Sequence, residues 1–289
     1  MRRLPFLVVI VALLAAGAAK AQPLVQPAWL KAHLQDPKVV VLDIRPHDQA
    51  VGSHILGAVA ADYEKAGWRA KTSDGAGGAL PPVETIGALI ASLGVGDAIH
   101  AVIVSDDFGA TARVYWTFKV LGHRNVSILD GGWKRWSTGG FPTTGDAFAP
   151  RPAAIFTPRY DGSIRAELPD VERTLASGNR TLIDARPQAQ WLGTAKTPVV
   201  AAFGHLPHAV WIDQSDALIA DGSALKPKTE LVALFEKIGK APVTTYCNTG
   251  HLAATDWFVL SEILHHPDVR LYDASLSQWT HDPSRPIVR

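Results

Sequence analysis

Cys247 is the single cysteine in this chain of 289 residues, and its neighbours are those of a nucleophile. It sits in Val243-Thr244-Thr245-Tyr246-Cys247-Asn248-Thr249-Gly250-His251-Leu252-Ala253, where a β-rich run ends and a helical pattern begins. A thiol at a strand-to-helix turn faces backbone N–H groups that lack partners within the helix. Those donors, with the positive end of the helix dipole, favour the thiolate and can hold an anion. A lone cysteine is more often a small buried hydrophobe. Here a polar, glycine-containing loop follows the thiol instead of an apolar stripe, and that favours chemistry.

An anionic substrate at this thiol would need a cation. Arg186, in Asp184-Ala185-Arg186-Pro187, is the only fixed one within plausible reach. The block also occurs as Asp43-Ile44-Arg45-Pro46, in a half of the chain that has no cysteine, so it is at least partly architectural. In that role the Asp holds loop backbone and the Arg pairs with it. Asn248, Thr249, Gly250, His251 and Leu252 complete the loop and are expected to line the substrate site. His251 invites a Cys–His ion-pair reading, but four residues along a tight loop its side chain is expected to point outward at the mouth. The other histidines, including His205/His208 and His265/His266, form no constellation with acids or a second cysteine that would hold a metal. No cofactor is implied.

The elements that carry these residues are duplicated. Asp43 and Asp184 lie 141 residues apart, and the same offset aligns Gly109 with Gly250 and Trp116 with Trp257. Ile128-Leu129-Asp130 and Trp136 match Leu271-Tyr272-Asp273 and Trp279 at an offset of 143, while Ser53-His54-Ile55-Leu56-Gly57-Ala58 parallels Gly204-His205-Leu206-Pro207-His208-Ala209. Collinear matches at a nearly fixed offset mean two copies of one fold. Within each copy, β-branched runs alternate with amphipathic segments such as 112–121 and 253–264. This predicts an α/β fold: a parallel sheet in each copy with helices on both faces. Ligands in such sheets bind at the carboxyl ends of the strands, where Cys247 falls. The expected organisation is a first domain over 22–148, a Pro- and Ala-rich linker over 149–160, and a second domain over 161–289. Residues 63–82, with Gly75, Gly77 and Gly78, read as a long surface loop.

By the 141-residue offset the counterpart of Cys247 is Asp106. A carboxylate cannot do thiol chemistry, so the first copy is expected to be inactive, with Asp106 a helix-capping acid. The N-terminus, with Arg2-Arg3, an apolar stretch from Leu4 to Ala16 and Ala19-Lys20-Ala21, reads as a secretory signal peptide over 1–21. Its apolar core is shorter than the roughly 20 residues of a spanning helix. The mature protein is thus expected to be exported, most simply to a periplasm, without a membrane anchor. Cleavage removes three of the 28 basic residues and none of the 27 acidic ones. The resulting near balance argues against nucleic acid as a partner.

Together these residues resemble the tandem-domain rhodaneses, the thiosulfate and 3-mercaptopyruvate sulfurtransferases. The resemblance spans essentially the whole mature chain. It rests on the two Asp-x-Arg blocks, the Gly204-His205-Leu206-Pro207 segment, the loop Cys247 to Leu252, Trp257, and Leu271-Tyr272-Asp273-Ala274-Ser275 with Trp279. It implies a persulfide on Cys247, a small-molecule sulfur donor, and a thiophilic acceptor such as cyanide or a thiol. Four positions depart from the family pattern. Thiosulfate-using members often carry basic residues where this loop has Asn248-Thr249, and a second family arginine is replaced by Gln190. The small Gly-Ser-Gly-Val-Thr-like loop common among mercaptopyruvate users is absent, and the usual Asp-Gly-Ser is Asp273-Ala274-Ser275. Thiosulfate is the expected donor and mercaptopyruvate the alternative. A Cys-based phosphatase would need an arginine in a Cys-x5-Arg pattern, but Ala253 lies where the loop closes. A thiol protease is not signalled. A non-catalytic carrier or binding module is the reading from a different class, and it suits the first domain better than the second.

Overall fold

The computed structural model describes residues 21–289. All but the last residue of the expected signal peptide therefore lies outside the described residues. In the first half the strands are β1 (Leu24–Val25), β2 (Val39–Asp43), β3 (His54–Ile55), β4 (Val59–Ala60), β5 (His100–Val104), β6 (Val126–Leu129) and β7 (Thr143–Thr144). They alternate with helices α1 (Pro27–His33), α2 (His47–Ala50), α3 (Val83–Ser92), α4 (Phe108–Val120) and α5 (Gly132–Thr138). The second half contributes β8 (Arg165–Ala166), β9 (Thr181–Asp184), β10 (Val210–Trp211), β11 (Val243–Tyr246) and β12 (Val269–Tyr272). Its helices are α6 (Leu168–Ser177), α7 (Gln188–Trp191), α8 (Lys228–Phe235), α9 (Ala253–Phe258) and α10 (Ser275–Trp279).

One sheet runs β1-β6-β5-β2-β4 and the other β8-β12-β11-β9-β10. The order is the same and the pairings within both are parallel. The duplicated α/β fold is therefore as the sequence implied. β2 and β5 show why: Val39–Leu42 and Ala101–Val104 are buried throughout, as strands covered on both faces must be. The strand ends refine the internal alignment. Ile44 N donates to Val104 O and Ala185 N to Tyr246 O, so the residue that follows the strand is Ser105 in the first domain and Cys247 in the second. Asp106, matched to Cys247 by the fixed offset, lies one residue beyond that strand-end position, because the first loop is one residue longer: Ser105 to Trp116 spans eleven residue steps and Cys247 to Trp257 ten.

Segments expected to be amphipathic are buried all round. All of α9 and twelve of the thirteen residues of α4 are inaccessible, since each helix packs on its own sheet and against the other helix. Tyr115 meets Phe258 edge-on at 4.9 Å, and its hydroxyl donates to Glu262 at 2.8 Å. One apolar core therefore runs through both domains, from Ile103 and Phe118 to Ile183, Cys247 and Leu271. Beyond α9 the chain stays helical as a π-turn, Val259–Ile263.

The 63–82 segment is a surface loop only in part, with Glu64, Lys65, Lys71 and Ser73 to Gly75 exposed. Trp68, Ala76, Ala79 and Leu80 are buried, and the segment packs under the second domain. Gly77 O accepts from Ser277 Oγ at 2.7 Å, and Leu80 N donates to Asp273 Oδ2 at 2.6 Å. Gly78 (φ +92) lies so close to the loop after Cys247 that a Cβ would be 2.5 Å from Thr249 O. Gly78 permits this approach rather than marking a free loop. The segment expected to link the domains follows the first of them closely: Ala154 N donates to Ala91 O and Arg159 N to Leu121 O. Among the described residues no helix is long and apolar enough to cross a membrane.

Candidate active site

Cys247 follows directly on β11, with its side chain 1 % exposed. Ser275, at the start of α10, organises the loop around it. Its Oγ accepts from Cys247 N at 3.0 Å and Gly250 N at 3.1 Å, and donates to Tyr272 O at 2.6 Å. The loop carbonyls are drawn to the same helix: Leu276 N donates to Cys247 O and Ser277 N to Asn248 O. Ser275 does this from a left-handed backbone conformation (φ +51), which costs a non-glycine residue energy and persists here because the surrounding bonds over-determine it. Gly250 (φ +72) turns the loop where a Cβ would stand 2.4 Å from Asp273 O. With carbonyls and two amides committed to Ser275 and α10, the N–H groups of Asn248, Thr249, His251 and Leu252 find no acceptor among the described residues. Free amides in pairs on either side of Gly250, 248–249 and 251–252, are donors of the kind that can form an anion nest.

Arg186 is buried against Asp184. Its Nε reaches Oδ1 at 2.9 Å and Oδ2 at 3.1 Å, its Nη2 reaches Oδ2 at 2.6 Å, and the same Nη2 donates to Gly204 O at 2.8 Å. Nη1 makes no hydrogen bond among the described residues. Burial opposes the guanidinium charge, but the bonds to and charge of Asp184, helped by Tyr246 and Cys247, outweigh it and hold Arg186 above its ordinary value. The first domain repeats the arrangement: Arg45 Nη2 is 2.6 Å from Asp43 Oδ2 and donates to Ser53 O at 3.0 Å. Two nitrogens of Arg186 thus lock the strand end, the architectural role foreseen for it, and the third is left without a partner among the described residues.

The remaining loop residues divide. Asn248 Nδ2 donates to Gln190 Oε1 at 2.9 Å, leaving its buried Oδ1 without a partner. A neutral amide pair thus occupies the place where a second arginine was missing. Thr249 lies under Gly78. Leu252 packs on the shared core. His251 points away from Cys247 into the first domain, with Nε2 3.3 Å from Asp107 Oδ2 and Nδ1 3.2 Å from the Tyr63 hydroxyl.

In the first domain the cap of α4 is Asp107, which accepts from Ala110 N at 3.0 Å. Asp106 instead accepts from Lys134 N at 2.7 Å, capping α5. It is a helix-capping acid, but of a later helix than the one it precedes. Burial raises its carboxyl pKa, against the lowering bond from Lys134 N and the charge of Arg45. A cavity of about 640 Å³ between the domains is walled in part by Leu80, Arg165, Tyr272 and Asp273. None of residues 247–252 lines it, so the chemistry of the residues locates the site and cavity size does not. Ser275, Tyr63, Asp107 and Gly78 are contributors that single-position reasoning passed over. Only Ser275 carried a signal, as the last member of Asp273-Ala274-Ser275.

The Rhodanese-like domain family matches this chain twice, at residues 26–138 and 167–282. A sulfur carrier protein of Thermus thermophilus is 30% identical over 94% of this chain and 99% of its own. The thiosulfate sulfurtransferase of Mus musculus is 33% identical over 69% of each chain. Among solved structures, a 3-mercaptopyruvate sulfotransferase from Escherichia coli superposes with a TM-score of 0.75 at 26% identity, covering 88% of this chain and 99% of that one.

Proposed function

The chain belongs to the rhodanese family of sulfurtransferases, and from that premise we propose that it moves a sulfane sulfur from thiosulfate to a thiophilic acceptor through a persulfide on Cys247. The thiolate attacks the outer sulfur of thiosulfate. The S–S bond of the donor breaks, and sulfite leaves with its electron pair. The resulting Cys247–S–S⁻ is attacked on its outer sulfur by cyanide or a thiol, which returns the thiolate. No general base is required, because the leaving group and the enzyme sulfur are both anions. The protein's part is electrostatic: unpartnered donors aimed at the site of developing charge stabilise it without reorganising.

The observation that carries this reading is the set of four unpartnered amides, at 248, 249, 251 and 252, following a thiol at a strand end. Arg186, whose Nη1 is unpartnered and whose charge interacts with Cys247, supports it as a donor for the sulfonate end. The first domain, with Ser105 and Asp106 where a thiol would be needed, is a scaffold without sulfur-transfer activity of its own. Export to a periplasm, with removal of residues 1–21, belongs to the same proposal and rests on the sequence pattern.

Mercaptopyruvate is the second reading. Asn248 favours it in one respect: its amide pairs with Gln190 and not with a cation, which suits a donor of lower charge. Paired kcat/KM values for thiosulfate and mercaptopyruvate, with cyanide as acceptor, discriminate between them. Higher efficiency with thiosulfate is expected. A clear preference for mercaptopyruvate would overturn the donor assignment and leave Cys247 in place.

A further inference from the structure

The active loop is gripped from the first domain by a short strap, residues 77–80, near the end of the 63–82 segment. Three hydrogen bonds fasten it. Ser277 Oγ on α10 donates to Gly77 O at 2.7 Å, Arg113 Nη2 on α4 donates to Gly78 O at 2.8 Å, and Leu80 N donates to Asp273 Oδ2 at 2.6 Å. Among these bonds Gly78 lies on Thr249, so closely that a Cβ would stand 2.5 Å from Thr249 O and 2.6 Å from Thr249 Cβ. Thr249 O and Gly250 N belong to one planar peptide unit. Its N–H is held by Ser275 of the second domain, and its oxygen faces Gly78 of the first. The free amides lie on either side of this clamped unit, at 248–249 and 251–252.

Arg113 is the anchor of this strap that stability alone does not explain. Its side chain is fully buried, with the guanidinium 4.6 Å from the Trp116 ring and Nη2 3.9 Å from Asp273 Oδ2, while Nε and Nη1 have no hydrogen-bond partner among the described residues. A buried charge so incompletely paired is a cost to the fold. Burial lowers its pKa from the ordinary value, against the raising charge of Asp273. The duplication sharpens the point, because the offset that matches Trp116 with Trp257 puts Ala254 on α9 where α4 has Arg113. The segment that follows β10 meets the first domain through a solvent-exposed ion pair instead, Lys134 Nζ to Asp221 Oδ2 at 2.8 Å. The copy without a thiol thus carries a buried arginine that the other copy lacks, and that arginine holds the strap on the other copy's loop.

We propose that Arg113 is a positioning residue for the active loop: by holding Gly78 O it keeps the strap on Thr249, and so fixes the orientation of the amides at 248, 249, 251 and 252. In this arrangement Arg113 touches neither the thiol nor the donor. It acts through Gly78, and the first domain thereby contributes to a reaction for which it has no thiol. The bond to Gly78 O is a single one, so the compact ammonium of a lysine can make it, whereas a methionine fills similar space without a donor.

The proposal rests on the sulfurtransferase reading for its consequence but not for its first test. Hydrogen–deuterium exchange of the full chain, read by mass spectrometry on its peptides, reports the amides of Cys247 and Gly250, both bonded to Ser275. In Arg113→Met, exchange over 247–250 should quicken roughly tenfold while exchange over 181–184 in β9 stays as in wild type, and Arg113→Lys should remain close to wild type at both. Thiosulfate kcat/KM should follow the same order, falling roughly tenfold in Arg113→Met and less than about threefold in Arg113→Lys. Ser277→Ala removes the strap's bond from α10 and keeps the backbone bond from Ser277 N to Asn248 O, so it should quicken exchange over 247–250 as well. Unchanged exchange there in Arg113→Met, an equal rise in β9, or an Arg113→Lys as impaired as Arg113→Met would overturn the proposal. A Ser277→Ala protein indistinguishable from wild type would overturn the strap even where Arg113→Met does not fold. If exchange behaves as expected but thiosulfate delivers no sulfur to Cys247 of the wild type, the functional reading fails and the strap stands. If sulfur is delivered and exchange over 247–250 is the same in every variant, the reverse holds.

Discussion

Ser275→Ala is the perturbation that tests the construction of the active loop. The hydroxyl is fully buried, accepts the amides of Cys247 and Gly250, and donates to Tyr272 O. Alanine leaves two buried N–H groups without an acceptor. An orphaned buried polar group costs about 1–3 kcal/mol, so the expected destabilisation is about 2–6 kcal/mol. Backbone strain sharpens the test. Ser275 sits at φ +51, where a residue with a Cβ pays about 1–2 kcal/mol that glycine does not. Ser275→Gly should therefore be the more stable of the two variants, although it lacks the hydroxyl equally. Urea unfolding followed by tryptophan fluorescence reads both, as midpoint shifts at unchanged slope. Sulfur transfer should collapse in both, because the loop that presents its amides to the sulfur has lost its anchor. A Ser275→Ala protein within 0.5 kcal/mol of wild type (about half the low end of a single orphaned group), or a Ser275→Gly less stable than Ser275→Ala, would refute the reasoning.

Three further outcomes are expected. Cys247→Ser should abolish sulfur transfer with the fold intact by circular dichroism, whereas Asp106→Asn, which keeps an acceptor for Lys134 N, should retain most of the activity in the cyanide assay. Arg186→Lys keeps a charge but loses the fork, and should lower donor kcat/KM roughly ten- to a hundredfold; its twin Arg45→Lys, from the same geometry, should cost comparable stability in urea and spare the donor kinetics. Asp256 on α9 has both carboxyl oxygens buried without partners, and burial, with the charges of Asp213, Asp184 and Asp216, raises its pKa well above the ordinary value. It is therefore protonated in the fold and ionised in the unfolded chain above about pH 4. The stability it contributes is present below that value and is lost as pH rises toward the folded pKa. Asp256→Asn should flatten that slope in urea midpoints measured between pH 4 and 8.

What could be read from the sequence was what repeats along it. The Asp43–Arg45 and Asp184–Arg186 pairs announced themselves as copies, and their near-identical geometry follows from the identical strand order of the two sheets. Cys247 was legible because a strand pattern, a thiol and a glycine loop are contiguous. The seat of His251 was not, since its partner Tyr63 is 188 residues away and no local pattern encodes that contact. Partial burial of the 63–82 segment was hidden for the same reason: its glycines look like those of a free loop, and only the second domain reveals that Gly78 permits close approach. The amphipathic pattern of 112–121 and 253–264 was over-read because Arg113 and Thr117 on α4 and Thr255 and Asp256 on α9, polar residues of the kind that normally mark a water-facing side, are buried. The one-residue slip between Asp106 and Ser105 came from applying a fixed offset across a loop whose length differs between the copies.

The central claim is that Cys247 carries the transferred sulfur. Intact-mass analysis of wild-type and Cys247→Ser protein, after incubation with thiosulfate and removal of excess donor, tests it most directly. The account predicts that the wild type gains the mass of one sulfur atom, that cyanide removes it, and that Cys247→Ser gains nothing. A wild-type protein whose mass does not change, or a gain that survives in Cys247→Ser, would contradict it.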